Sequence, residues 1–288
     1  MEATFGPTQE RREQIMAGIS RREGFGYHVM GVLNITPDSF HEASRINSTE
    51  HAIATGLQMW EHGATWIDIG GESTRPGAEP VDPEEEIRRV LPVIQGLRKA
   101  NPDGLISIDT RRPSVARAAI EAGVDLVNDV SGLRDPAMVD LVLEAQCGVC
   151  IMHMQGTPGT MQQKPNYSNC VQEVSEQLLE TARALKSAGH PPELIVLDPG
   201  IGFGKTLENN IELLQHHQTM RGLEGFALLW GVSRKSMIGQ LTGRKEPSER
   251  LAGTLAVAAL AHYEGIDLLR VHDVVEHIDM LNVLDALA

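Results

Sequence analysis

From Tyr27 onward the chain repeats one pattern eight times: a short apolar run, a polar cluster with Gly or Pro, then a longer amphipathic segment. The apolar runs are HVMGVLN, TWIDIGG, LISIDT, LVNDVSG, GVCIMHM, LIVLDPG, ALLWGVS and LLRVHDV. They lack the strict alternation of a half-solvated sheet, which suits parallel strands covered by helices. Eight successive units favour a closed (β/α)8 barrel, the α/β TIM barrel, over an open sheet. One such domain over 27–288 accounts for the repeat, and residues 1–26 stand outside it as an N-terminal extension, a tail or a lid over the barrel bottom. Helix starts agree: Pro83 with three glutamates, Arg112-Pro113 and Asp135-Pro136 place proline where a missing N–H costs little.

Bulk properties exclude whole classes. A net charge of -14 disfavours a general nucleic-acid binder, because a phosphate backbone is repelled except at a local basic site. No signal-peptide core or long apolar span is evident, so no membrane role and a cytoplasmic location are expected. Cys147, Cys150 and Cys170 form no even disulfide framework. Cys147 and Cys150 do spell C-x-x-C, yet they sit in a strand-like apolar run with no second pair, which reads as packing rather than zinc or redox chemistry.

The stretch LDPGIGFGKT tests for a phosphate loop and fails. A Walker loop needs glycine five residues before Gly204, where Pro199 stands, and the dinucleotide pattern G-x-G-x-x-G fails likewise. Lys205 therefore reads as a solvent-facing charge or a helix-start residue. The glycines, following Asp198, read as a strand-to-helix loop that lets a flat ligand approach the backbone and Phe203.

Nearly every strand carries a polar residue near its carboxyl end: Asn34, Asp68, Asp109, Asn128, Asp129, His153, Asp198, Arg270 and His272. Taken singly, Asp68 or Asp129 reads as a helix cap or turn closure. Together the set points to one site at the barrel mouth. Asp109, Asn128 and Asp198 suit the edge of a flat heterocycle with N–H donors and acceptors. Arg270 and His272, two apart on a strand, suit one anion such as a phosphate, and Asn34 offers an oxygen to Mg²⁺. The long polar segments after strands one and two have the composition of catalytic lids.

These residues carry a family resemblance. MGVLNITPDSF, DIGGESTRPGA, SIDT, NDVSG, MHMQGTP, LDPGIGFGKT, SRKSMIG, PSERLAGTLA and RVHDV resemble, in order and approximate spacing, the signatures of the dihydropteroate synthases. The resemblance implies a barrel that joins p-aminobenzoate to 6-hydroxymethyl-7,8-dihydropterin pyrophosphate by an SN1-like substitution, and a sulfonamide target. It implies a pterin pocket of Asp109, Asn128, Asp198 and Lys235 lined by Met152 and Phe203. It further implies a pyrophosphate site at Arg270 and His272, Mg²⁺ on Asn34, Phe40, Thr74, Arg75 and Pro76 around the arylamine, Ser236 at its carboxylate, and a homodimer. Asp109, Lys235, Arg270 and His272 are then the catalytic set, and small-molecule substrates the partners. One departure stands out: the family commonly continues Ser-Asp-Gly-Gly after the first-loop Phe, where this chain has His41-Glu42-Ala43-Ser44. Losing both glycines is expected to alter the p-aminobenzoate subsite. The competing readings are a corrinoid methyltransferase barrel, which needs neither SRKS nor the Arg270 and His272 anion site, and a non-catalytic pterin binder.

Overall fold

Eight strands follow the eight apolar runs: β1 (His28–Asn34), β2 (Trp66–Gly70), β3 (Leu105–Asp109), β4 (Leu126–Asp129), β5 (Gly148–Met152), β6 (Ile195–Asp198), β7 (Ala227–Trp230) and β8 (Leu268–Val271). Each lies parallel to the next, and β8 pairs with β1, so the sheet closes into a barrel. The structure is a computed structural model that describes residues 5–21, 26–35, 45–72, 80–157, 159, 161 and 165–287.

Helices alternate with the strands: α1 (Gln9–Ile19) precedes β1, and α2 (Arg45–Glu61), α3 (Pro83–Ala100), α4 (Pro113–Glu121), α5 (Pro136–Ala145), α6 (Cys170–Ser187) and α7 (Leu207–Gln215) each follow one strand. The pair α8 (Ser236–Thr242) and α9 (Leu251–Glu264) follows β7, and α10 (Val274–Leu287) ends the chain. Local chemistry starts them as expected in two cases. Asp82 accepts from Glu84 N and Asp135 from Ala137 N, each ahead of a proline at the first helical position. Arg112 makes no cap; its guanidinium instead binds Glu72 and the buried Glu86.

The period of two along each strand divides the core. Outward residues such as Ile67, Ile69, Ile106, Ile108, Val149 and Leu197 pack against the helices. Inward residues are apolar at the strand starts, where Met30, Trp66, Leu105, Leu126, Val196 and Leu268 fill the barrel. Two residues later the same inward face turns polar at Asp68, Ser107, Asn128, Asp198 and Arg270. This gradient places charge at the carboxyl mouth and hydrocarbon at the base.

The base is closed by α1. Ile15 and Ile19 are buried against Trp66, Leu105 and Leu126, each side chain contributing about 2–3 kcal/mol through burial. Trp66 Nε1 donates to Gly18 O at 2.8 Å, and a Cβ at Gly18 would stand 2.4 Å from Leu105 Cδ1, so a larger residue would require Leu105 to shift. Arg11 forks onto Asp125 at 2.6 and 2.7 Å, and Asp125 also accepts from Ile106 N. All three cysteines are free and buried; burial pushes the Cys147 thiol up to about 12 and Cys170 to about 11.

Candidate active site

Arg270 points into the barrel mouth. Its Nε donates to Asp68 Oδ2 at 2.6 Å and its Nη2 to Asp109 Oδ2 at 2.7 Å, while Asn128 Nδ2 donates to the same Asp68 oxygen at 3.2 Å. Strand register brings them together, since Asp109 is the Cα partner of Gly70 on one side and of Asn128 on the other. Burial pulls the guanidinium pKa down, but Asp68 and Asp109 outweigh it and keep Arg270 charged. Burial likewise pushes the Asp109 carboxyl up, with Arg270 opposing.

Asp198 ends β6 and accepts from Gly200 N at 2.7 Å. Its Oδ2 lies 3.7 Å from the point a Cβ on Gly231 would occupy, so the carboxylate edge faces bare backbone that a flat ring can approach. Lys235 Nζ stands 3.9 Å from the centroid of the Phe203 ring, a cation–π contact. Burial lowers this ammonium to about 8, and Asp198 acts against the fall. Met152 joins Val130, Met154, Met161 and Phe203 in an apolar wall. An apolar wall, acceptors at one edge and a cation over an aromatic face form a slot for a planar heterocycle.

The four residues Ser233 to Ser236 divide their tasks. The Ser233 hydroxyl lies 3.0 Å from His272 Nδ1 and accepts from His272 N at 3.2 Å. Arg234, at a φ of 57°, pairs with Asp273 and donates its backbone N–H to Thr254. The loop after β7 is thereby tied to the end of β8, which sets Lys235 inward and leaves Ser236 exposed at the start of α8.

Asn34 ends β1, exposed, with Oδ1 3.5 Å from the point where a Gly70 Cβ would lie; Asp109 Oδ2 is 3.7 Å from that point. Two oxygen donors thus flank a bare patch, a donor set suited to a hard cation such as Mg²⁺. Among the described residues no group of three His, Cys, Asp or Glu side chains is placed to hold an ion alone. A cation held here would need its remaining ligands from substrate and water. Phe40, Thr74, Arg75, Pro76 and the His41–Ser44 segment lie outside the described residues.

Lys205 corrects the sequence reading. It is 4% exposed, with Nζ 3.0 Å from His153 Nδ1 and donating to the carbonyls of Gly200, Phe203 and His153. Thr206 is the helix cap instead, in a reciprocal capping box with Asn209. Two of the glycines also serve a close approach within the protein. A Cβ at Gly200 would lie 1.9 Å from His153 O and one at Gly204 2.8 Å from Gln155 O, so the loop packs on the protein's own backbone.

Asp129 closes a turn, accepting from Ser131 N and Leu133 N, and His153 faces Lys205. Asp68 neither caps nor closes a turn. Sequence reasoning counted Asp68 in the polar ring but, taken singly, as a cap or turn closure, and it left Lys205 and Ser233 outside the site. The alternation Trp66, Asp68, Gly70 signals Asp68, because those residues share the inward face. Lys205 has no comparable local signal, since its acceptors are carbonyls gathered by tertiary packing.

Residues 30–272 match the family model described as pterin binding enzyme. Over 264 residues the chain is 43% identical to the dihydropteroate synthase of Escherichia coli K12, covering 90% of this chain and 91% of that protein. Among solved structures, a Xanthomonas albilineans dihydropteroate synthase with 4-aminobenzoic acid superposes with a TM-score of 0.83 at 44% identity, over 91% of this chain and 93% of that one. A Yersinia pestis dihydropteroate synthase in complex with a sulfonamide drug gives 0.83 at 38% identity, over 91% of this chain and 94% of that one.

Proposed function

The chain belongs to the pterin-binding enzyme family, among its dihydropteroate synthases, and on that premise we propose how its residues divide the work. It is a transferase that joins p-aminobenzoate to 6-hydroxymethyl-7,8-dihydropterin pyrophosphate, releasing pyrophosphate and 7,8-dihydropteroate. The observation that carries the assignment of roles is the convergence of Asp109, Asn128 and Asp198 on one mouth beside Lys235 and Arg270.

The pterin ring lies against Phe203 and Met152, its N–H groups donating to Asp198 and Asp109 and its acceptors facing Asn128 and Lys235. Arg270 and His272 take the pyrophosphate, for which Arg270 trades part of its carboxylate pairing for phosphate oxygens. Asn34 would hold Mg²⁺, which would supply positive charge next to the leaving pyrophosphate. Departure of pyrophosphate first leaves a pterin-methyl cation, which the Asp109 carboxylate stabilises. The neutral arylamine, for which Phe40, Thr74, Arg75 and Pro76 would form the subsite with Ser236 at its carboxylate, then attacks the cation, and the nitrogen of the new C–N bond sheds one proton to solvent or to the departed pyrophosphate. No strong base is required of the protein, because an aromatic amine is largely unprotonated near neutral pH. The cysteines take no part as nucleophiles, since burial holds their thiols protonated.

The functional unit is a homodimer, supported by Leu260 and Tyr263 exposed on α9, the latter at 71%. A cytoplasmic site of action accords with three unpaired buried cysteines. Pyrophosphate release that requires both p-aminobenzoate and Mg²⁺, with dihydropteroate appearing in step, is the expected result of a direct assay. Release independent of either component overturns the corresponding assignment.

A further inference from the structure

Lys205 has no part in the chemistry above, yet it is as buried as the residues that do. Its Nζ is 3.0 Å from His153 Nδ1 and donates to the carbonyls of Phe203 at 3.0 Å, Gly200 at 3.1 Å and His153 at 3.2 Å. Among the described residues no carboxylate pairs with it directly; its hydrogen-bond partners are dipoles, and Asp198 favours the charge from a distance. Burial drags the ammonium down to about 7. His153, itself lowered to about 3 by burial first and then by Lys205, stays neutral beside the ammonium.

The Phe203 carbonyl takes such a donor, and the Gly200 carbonyl, which already accepts from Phe203 N at 3.0 Å, takes Lys205 as a second one. The chain turns through positive φ at Gly200, Gly202 and Gly204, so the loop between β6 and α7 forms no regular ladder. The Phe203 carbonyl lies beyond the strand and helix hydrogen bonds, and the Gly200 carbonyl is held by the turn bond from Phe203 N together with Lys205. Lys205 supplies the N–H groups from inside the loop it belongs to, and Tyr167 Oη donates to Gly204 O at 2.8 Å from the other side.

The loop so held carries two walls of the pocket. The Gly200 peptide is gripped at both ends, its C=O by Lys205 and its N–H by Asp198 at 2.7 Å. The carbonyl of Phe203 is gripped by the same ammonium, and the Phe203 ring lies under Lys235. We propose that Lys205 is a positioning residue for the pterin pocket: by drawing the Gly200 and Phe203 carbonyls onto the end of β5 it fixes the Asp198 carboxylate and the Phe203 ring at the spacing the dihydropterin requires. This inference rests on the pterin-pocket reading of the mouth.

Lys205→Met, close in length and apolar, tests it. Expected is a rise of roughly tenfold in KM for the dihydropterin pyrophosphate and in Kd for free pterin, with KM for p-aminobenzoate changed less than about twofold. A lysine that served stability alone would lower Tm and the active fraction, reducing apparent kcat while both KM values stayed put. That pattern, or a parallel rise in both KM values, overturns the proposal. Lys205→Gln keeps two N–H donors without charge and gives the readout where the methionine variant does not fold. Its pterin KM is expected to rise about threefold, and an unchanged value overturns the proposal. Turnover by the unaltered enzyme is measured alongside: its absence sinks the synthase reading, whereas pterin affinity by calorimetry tests Lys205 independently.

Discussion

The guanidinium of Arg270 lies 2.7 Å from the carboxylate of Asp109, so the residue assigned to pyrophosphate also braces a residue assigned to pterin. The two subsites are therefore mechanically one. Arg270→Ala leaves Asp68 and Asp109 buried without their cation, at a cost of about 3–5 kcal/mol in stability. Pterin affinity is expected to fall along with pyrophosphate affinity and turnover. Calorimetric titration with free pterin checks this; an unaltered pterin Kd would show that the brace is dispensable.

Asp198→Asn replaces an acceptor pair with one acceptor and one donor beside Gly231. A loss of about 1.5–3 kcal/mol in pterin binding follows, roughly ten- to a hundredfold in Kd, with p-aminobenzoate KM little changed. Equal affinity in mutant and parent would remove Asp198 from the pocket.

Acid sensitivity follows from two buried histidines. Burial lowers His153 to about 3 and His190 to about 4, below the ordinary 6.5, with the Cys147 backbone opposing the fall at His190. Between those values and 6.5 the unfolded chain binds more protons than the folded one. Their contribution to stability is thus complete above pH 6.5 and lost as pH falls toward 4. His190→Gln is expected to flatten this slope, since the amide does not titrate. Melting curves at several values between pH 4.5 and 7 provide the comparison, and parallel slopes would exclude His190 as a source.

Replacing His41-Glu42-Ala43-Ser44 by Ser-Asp-Gly-Gly restores two glycines to the first loop. A changed KM for p-aminobenzoate and a changed inhibition constant for a sulfonamide are expected, with pterin KM constant. Identical constants in both proteins would dispose of the idea that this loop tunes the arylamine subsite.

Tyr263, 71% exposed on α9, and Leu260, 44% exposed, are the apolar side chains proposed as a dimer contact. Leu260→Glu places a charge there and is expected to shift the mass seen by light scattering from two chains to one, with the monomer still folded. A dimer that survives the substitution directs attention to another face.

Strand and helix identities were legible because the inward and outward faces of a barrel impose separate tasks on alternate residues. The run from Trp66 through Asp68 to Gly70 carries apolar base, polar mouth and bare ligand face in five residues, and similar gradients run along β3, β4, β6 and β8. Such information is local, so the sequence by itself determined the fold and the ring of polar strand ends. Partnership within that ring was decided by tertiary structure. Arg270 and Asp68 are 202 residues apart, and only closure of β8 onto β1 sets that guanidinium across from β2 and β3. Lys205 is the clearest case: a charged residue beside a failed phosphate motif reads as solvent-facing. It is buried because three left-handed glycines fold the chain back until carbonyls distant in hydrogen-bonding pattern meet at one ammonium. Hydrophobic periodicity is written residue by residue, whereas the balance between desolvating a charge and satisfying buried dipoles exists only once the loop has closed.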